Sequence, residues 1–77
     1  MFQNYEIKRI GYDEVIYLYL DLKYEMGMDF NDPDCTISLT NRCYNFIKNN
    51  KINYGGNKVY LVIDGLIVKS LDLRSIH

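Results

Sequence analysis

The chain of 77 residues has no tryptophan and no alanine, one proline, one histidine and two cysteines. Each shortage excludes something. With a single proline and five glycines there is no low-complexity linker, and no internal repeat is visible, so one domain spanning residues 1–77 is expected. The only histidine, His77, is the last residue, where fraying is expected to keep it from serving as a positioned general base. No stretch approaches the ~20 apolar residues of a membrane span. The opening Met-Phe-Gln-Asn-Tyr-Glu-Ile-Lys-Arg-Ile carries charges where a signal peptide needs an unbroken apolar core. A soluble, cytoplasmic protein with no membrane partner is therefore expected, and Cys35 and Cys43 read as free thiols. The missing alanine and tryptophan accompany an excess of Asn, Lys, Ile and Tyr, which supply 31 residues and share AT-rich codons. That bias reports a low-GC genome rather than a function.

What is present begins with hydrophobic patterning. Every second position from 16 to 30 is apolar: Ile16, Leu18, Leu20, Leu22, Tyr24, Met26, Met28 and Phe30. This is the period of a strand with one dry face, and the interleaved residues turn polar halfway. A competing helix from the cap candidate Asp13 would use Val15, Leu18, Tyr19, Leu22 and Met26, an incomplete stripe of residues that favour strands. Gly27 and Asn31-Asp32-Pro33-Asp34 should end the strand early, with pairing fading around 24–26 and Met26, Met28 and Phe30 pinning a loop to the core. Upstream, Tyr5 to Ile10 followed by Gly11-Tyr12-Asp13-Glu14 predicts a hairpin with a four-residue turn. That turn sets Tyr5 and Ile7 opposite Leu20 and Leu18.

Downstream, Leu39, Cys43, Phe46 and Ile47 fall on one face of a helix from about Ile37 to Asn50, with Thr36 or Ser38 as cap and Asn49-Asn50 as stop. Val59–Ile63 and Leu66–Leu73 flank Asp64-Gly65, the pair that favours a type I′ turn. The hairpin so formed pairs Ile63 with Leu66, Leu61 with Val68 and Tyr60 with Lys69. A change of apolar phase beyond residue 69 predicts a bulge near Lys69-Ser70 or burial on both faces.

The fold class is thus α+β: a small single domain in the order β-β-α-β-β, with a mostly antiparallel sheet and one helix packed on one face. In element order it resembles the β-grasp or ubiquitin-like arrangement. The carboxyl-terminal Leu73-Arg74-Ser75-Ile76-His77 lacks the terminal glycine pair that ubiquitin-like modifiers use, which argues against a modifier role.

The net charge of −1 is unevenly spread, with residues 1–36 summing to −5 and 37–77 to +4. Interleaving of the halves in space would cancel the asymmetry, whereas separation would leave a basic end able to steer an acidic partner or nucleic acid.

Candidate chemistry is sparse. Cys43 lies on the apolar helix face and Cys35 follows an acidic loop, so neither is an activated nucleophile. Asp29, Asn31, Asp32 and Asp34 crowd oxygen ligands together but miss the glycine and glutamate of a calcium loop, and read as a turn that caps the helix through Asp34 or Thr36. Tyr54-Gly55-Gly56-Asn57-Lys58 lacks the spacing of a phosphate loop and enters a strand. No cofactor, metal or catalytic residue is expected.

Two binding surfaces remain. Tyr17 and Tyr19 fall on the face opposite the helix and Tyr60, Val62 and Ile67 on the outer face of the second hairpin; if the two hairpins share a sheet, they make a tyrosine and aliphatic surface suited to a protein partner or a second copy of the chain, with ordinary cross-strand pairing, including Tyr60 with Lys69, as the plainer account. Lys48, Lys51, Tyr54 and Lys58 cluster at the helix end and suit a nucleic-acid backbone, although lysines there are also favoured by the helix dipole. The expected function is a non-catalytic protein-interaction module, a homodimer through the outer face or an edge strand, with a small nucleic-acid-binding regulator as the alternative.

Overall fold

A computed structural model of the chain describes residues 2–21 and 31–75. It is a small α+β domain in which four strands form one mixed sheet, with the helix between the second and third strands. The elements are β1 (Phe2–Ile10), β2 (Asp13–Leu20), α1 (Pro33–Asn49), β3 (Lys58–Ile63), β4 (Leu66–Asp72) and a 3-10 turn at Leu73–Ser75. The sheet order is β1-β2-β3-β4; the two hairpins are antiparallel and the central pair, β2 with β3, is parallel.

The alternation that predicted a strand holds for β2, where Ile16, Leu18 and Leu20 are buried on the helix side. The helix alternative from Asp13 does not form. The fading of the strand around 24–26 and the pinned Met26, Met28 and Phe30 lie outside the described residues, as does His77. The first hairpin corrects its expected register. Its turn has two residues, Gly11 and Tyr12, not four, and pairs Tyr5 with Leu18 and Ile7 with Ile16. Gly11 alone has positive φ, +64°, the signature of a type II′ turn, which supplies the tight reversal that four residues were assumed to need. Because the slip is two residues, the side chains keep their faces.

The helix begins earlier than the periodicity implied. Asp32, rather than Thr36 or Ser38, is the cap: its Oδ1 accepts from the Asp34 amide at 3.0 Å, and Pro33 occupies the first helical position, where its missing N–H costs nothing. The helix stops at Asn50 as expected. Lys51 follows with φ +52° and donates to the Lys48 carbonyl while Ile52 donates to the Ile47 carbonyl. Leu39, Cys43 and Ile47 are buried against the sheet and Phe46 is half-buried, with its ring 5.1 Å from that of Phe2.

In the second hairpin Asp64 and Gly65 both have positive φ, as a type I′ turn requires. Ile63 faces Leu66 as predicted, but Leu61 pairs with Lys69 and Tyr60 with Ser70, which leaves Val68 as an extra residue. The bulge therefore sits about two residues earlier than expected. It has a clear purpose in packing: by flipping the phase of β4 it turns Leu71 inward opposite Val59. One core results, built from Ile16, Leu18, Leu20, Leu39, Cys43, Ile47, Val59, Leu61, Ile63 and Leu71.

Candidate interaction surface

The helix covers one face of the sheet. On the other, strand register sets the residues in rungs. One rung runs Glu6, Tyr17, Tyr60, Ser70; the next runs Asn4, Tyr19, Val62, Ile67; a third runs Lys8, Val15, Lys58, Asp72. All five residues expected on this face, Tyr17, Tyr19, Tyr60, Val62 and Ile67, thus occupy two adjacent rungs. The rings of Tyr17 and Tyr60 lie 5.2 Å apart, tilted by 49°, a favourable aromatic pair. Val62 is only 5% exposed beneath its neighbours, whereas Ile67 is 54% exposed at the edge. The tyrosines are half-buried, so each keeps part of its ring available.

Val15 and Lys8 also belong to this face, beside the five expected residues. Val15, 4% exposed, shares the parity of 17 and 19, a signal that was available. Lys8 takes this face in either register: a four-residue turn would set it directly opposite Tyr17, and the two-residue turn sets it opposite Val15, one pair along on the same side of the sheet. Its Nζ sits 4.8 Å from the centre of the Tyr17 ring and 3.0 Å from Glu6 Oε1. The Glu6 carboxylate, by hydrogen bond and charge, raises the Lys8 pKa. The expected cross-strand pairing of Tyr60 with Lys69 does not form, because the bulge sets Tyr60 opposite Ser70 and Lys69 opposite Leu61.

The basic cluster is divided. Lys48, Lys51 and Tyr54 line a shallow depression of about 300 Å³ at the helix end, together with Tyr44 and Ile52. Lys58 instead lies on the outer face, paired in register with Asp72. Tyr54 is held tightly. Its hydroxyl reaches the Glu14 carbonyl at 3.1 Å and the Lys58 carbonyl at 2.5 Å, and its ring packs against the core. Burial first, then the Glu14 charge, pushes its pKa up to about 12. A ring so engaged offers little surface for stacking on a base.

A larger cleft, about 670 Å³, lies at the end of the sheet between the β1–β2 turn, the 53–57 loop and the end of β4. It brings Arg9, Asp13 and Glu14 from the acidic half of the chain together with Lys58, Asp72 and Arg74 from the basic half, so here the asymmetry of the sequence is cancelled. Arg74 forks onto Asp72, with Nη2 to Oδ2 at 2.7 Å and Nε to Oδ1 at 3.1 Å, and this pairing lowers the Asp72 pKa to about 2. Glu14 Oε1 accepts from the Gly55 amide at 3.0 Å. The acids of the cleft that have named partners are therefore occupied in holding loops, and neither cysteine lines it. Cys43 is in the core, where burial pushes its thiol up to about 12.

Comparisons with known proteins give no match: no family model, no curated protein and no solved structure corresponds to this chain. The likeness to the β-grasp arrangement stays one of element order. Among the described residues no helix is long and apolar enough to cross a membrane.

Proposed function

We propose that this protein is a non-catalytic protein-interaction module that works as a homodimer through the exposed parts of its sheet. The observation that carries the reading is the outer face. Among the described residues no element covers the second face of the sheet, and that face presents Tyr17, Tyr19, Tyr60 and Ile67 over two nearly dry valines. Tyrosine buries a large area for little rotamer entropy and is enriched where proteins meet. A core this small also gains from any added burial. Light scattering across ~10 μM to ~1 mM should give twice the chain mass, with Tyr17→Ser plus Tyr19→Ser moving dissociation to about tenfold higher concentration. A wild-type chain that stays monomeric throughout that range defeats the proposal.

A second reading has one observation in its favour: Lys48 and Lys51 flank one depression, and Lys51 holds a left-handed backbone conformation that glycine would occupy more easily. On that reading the chain is a small nucleic-acid-binding regulator. Retention on immobilised DNA or RNA would then fall with salt and disappear on changing Lys48, Lys51 and Lys58 to Glu. Retention by the triple variant equal to that of the wild type would dismiss it.

A further inference from the structure

We infer that two copies of the chain join edge to edge, β1 against β1, antiparallel about a two-fold axis at Ile7, so that their sheets become one. The inference rests on the self-association proposed above and names its contact. β1 spans nine residues, and among the described residues it has a strand neighbour on one side only. Such an edge presents unused backbone donors and acceptors.

Which of them are unused follows from the turn. A two-residue hairpin closes on a hydrogen-bonded pair, here Ile10 with Asp13. Alternation then commits the amides and carbonyls of Ile10, Lys8 and Glu6 to β2 and turns those of Arg9, Ile7 and Tyr5 outward. The Tyr5 amide agrees with this: it donates to the side-chain oxygen of the preceding residue, Asn4 Oδ1, at 2.8 Å instead of to a strand. A second β1 would meet three residues whose backbone groups point at it.

Charge selects the register. Charged residues on an edge ordinarily deter pairing, yet Glu6 and Lys8 flank Ile7 with opposite signs. About an axis at Ile7, Glu6 faces the partner's Lys8 and Lys8 faces the partner's Glu6, while Tyr5 faces the partner's Arg9. Axes at Glu6, Lys8 or Arg9 would set that residue against its own copy, like charge on like. An axis at Tyr5 opposes Glu6 to Asn4 and forms no ion pair. Only Ile7 as centre satisfies the backbone and both charges. Two half-buried Ile7 side chains then meet on the helix side, and the Tyr5 rings, exposed in the single chain, gain cover.

The test uses the full chain and sedimentation equilibrium. Glu6→Lys and Lys8→Glu change side chains that are about half exposed, so both variants should keep the wild-type circular dichroism. Each alone should weaken self-association at least ~tenfold. An equimolar mixture of the two should associate within ~threefold of wild type, because mixed pairs again oppose unlike charges across the axis although neither chain retains its internal Lys8–Glu6 pair. That recovery cannot come from an effect inside one chain. Single variants as tight as wild type, or a mixture that does not recover, overturn the edge pairing. If Tyr17→Ser plus Tyr19→Ser still weakens association in that case, the module stands and its contact is the outer face. A monomeric wild type at ~1 mM overturns both.

Discussion

Gly56 is dictated by its neighbours. A Cβ there would fall 2.2 Å from the Glu14 carbonyl oxygen and 2.6 Å from the Tyr54 hydroxyl, the two groups that dock the 53–57 loop on β2. Gly56→Ala should cost about 1–3 kcal/mol in urea unfolding, since the carbonyl belongs to the sheet and cannot yield. At the same scale lies the response to alkali. Cys43 and Tyr54 keep their protons to about 12 in the fold, whereas their ordinary values are near 9 and 10. Below about pH 9 both states are protonated and nothing changes; between 9 and 12 the unfolded chain releases protons first, so stability falls as pH rises. Urea midpoints measured from pH 8 to 11 should decline, and Cys43→Ser should flatten part of the slope. On the acid side the lowered Asp72 pKa adds stability above about pH 4 that is lost as pH falls toward 2.

At the scale of elements, each boundary is set by short-range chemistry. Asp32 holds the first turn of α1 through the Asp34 amide, and its backbone carbonyl accepts from Thr36 N–H at 2.9 Å. Asp32→Ala should cost about 1 kcal/mol, seen as a lower urea midpoint with an unchanged slope, while Thr36→Ala and Ser38→Ala should leave the helix start in place. The hydrophobic stripe could not reveal this cap, because the first turn carries few apolar residues and the fully buried stripe starts only at Leu39. The β4 bulge was legible as a change of phase, but its location depended on which residue, Val68 or Ser70, could be left unpaired while Leu71 turned inward. That is decided by packing against Val59, a partner remote in sequence.

For the molecule as a whole, the helix and sheet share one thin core. Leu39, Cys43 and Ile47 are the buried apolar residues that α1 brings to it, and Leu39 is fully buried. Leu39→Ala should cost about 2–5 kcal/mol, which is comparable to the ~3–5 kcal/mol a core of this size supplies. Circular dichroism should therefore show that variant largely unfolded at 25 °C, and a melting curve like that of the wild type would mean that the core is better buttressed than its residues indicate. An assembly that adds apolar cover to the sheet is the natural complement of so small a core.

The α+β class, the two hairpins, the 64–65 turn and the inner and outer faces of the sheet were determined by sequence alone, because the period of two and the conformational demands of Asp-Gly turns are local properties. Parity also set the outer side of its own hairpin for each of Tyr17, Tyr19 and Tyr60, but their union in one face needed the two hairpins to share a sheet. Strand order and direction were not determined by sequence alone. A helix of 17 residues spans about 25 Å, enough to carry the chain back along the sheet and start β3 beside β2 in the same direction, and nothing local distinguishes that return from one that lands elsewhere. The tertiary structure alone decided that the Tyr17 ring meets that of Tyr60 and that β1 with its Glu6-Ile7-Lys8 pattern lies at an edge, because each depends on which strands become neighbours once the core has closed.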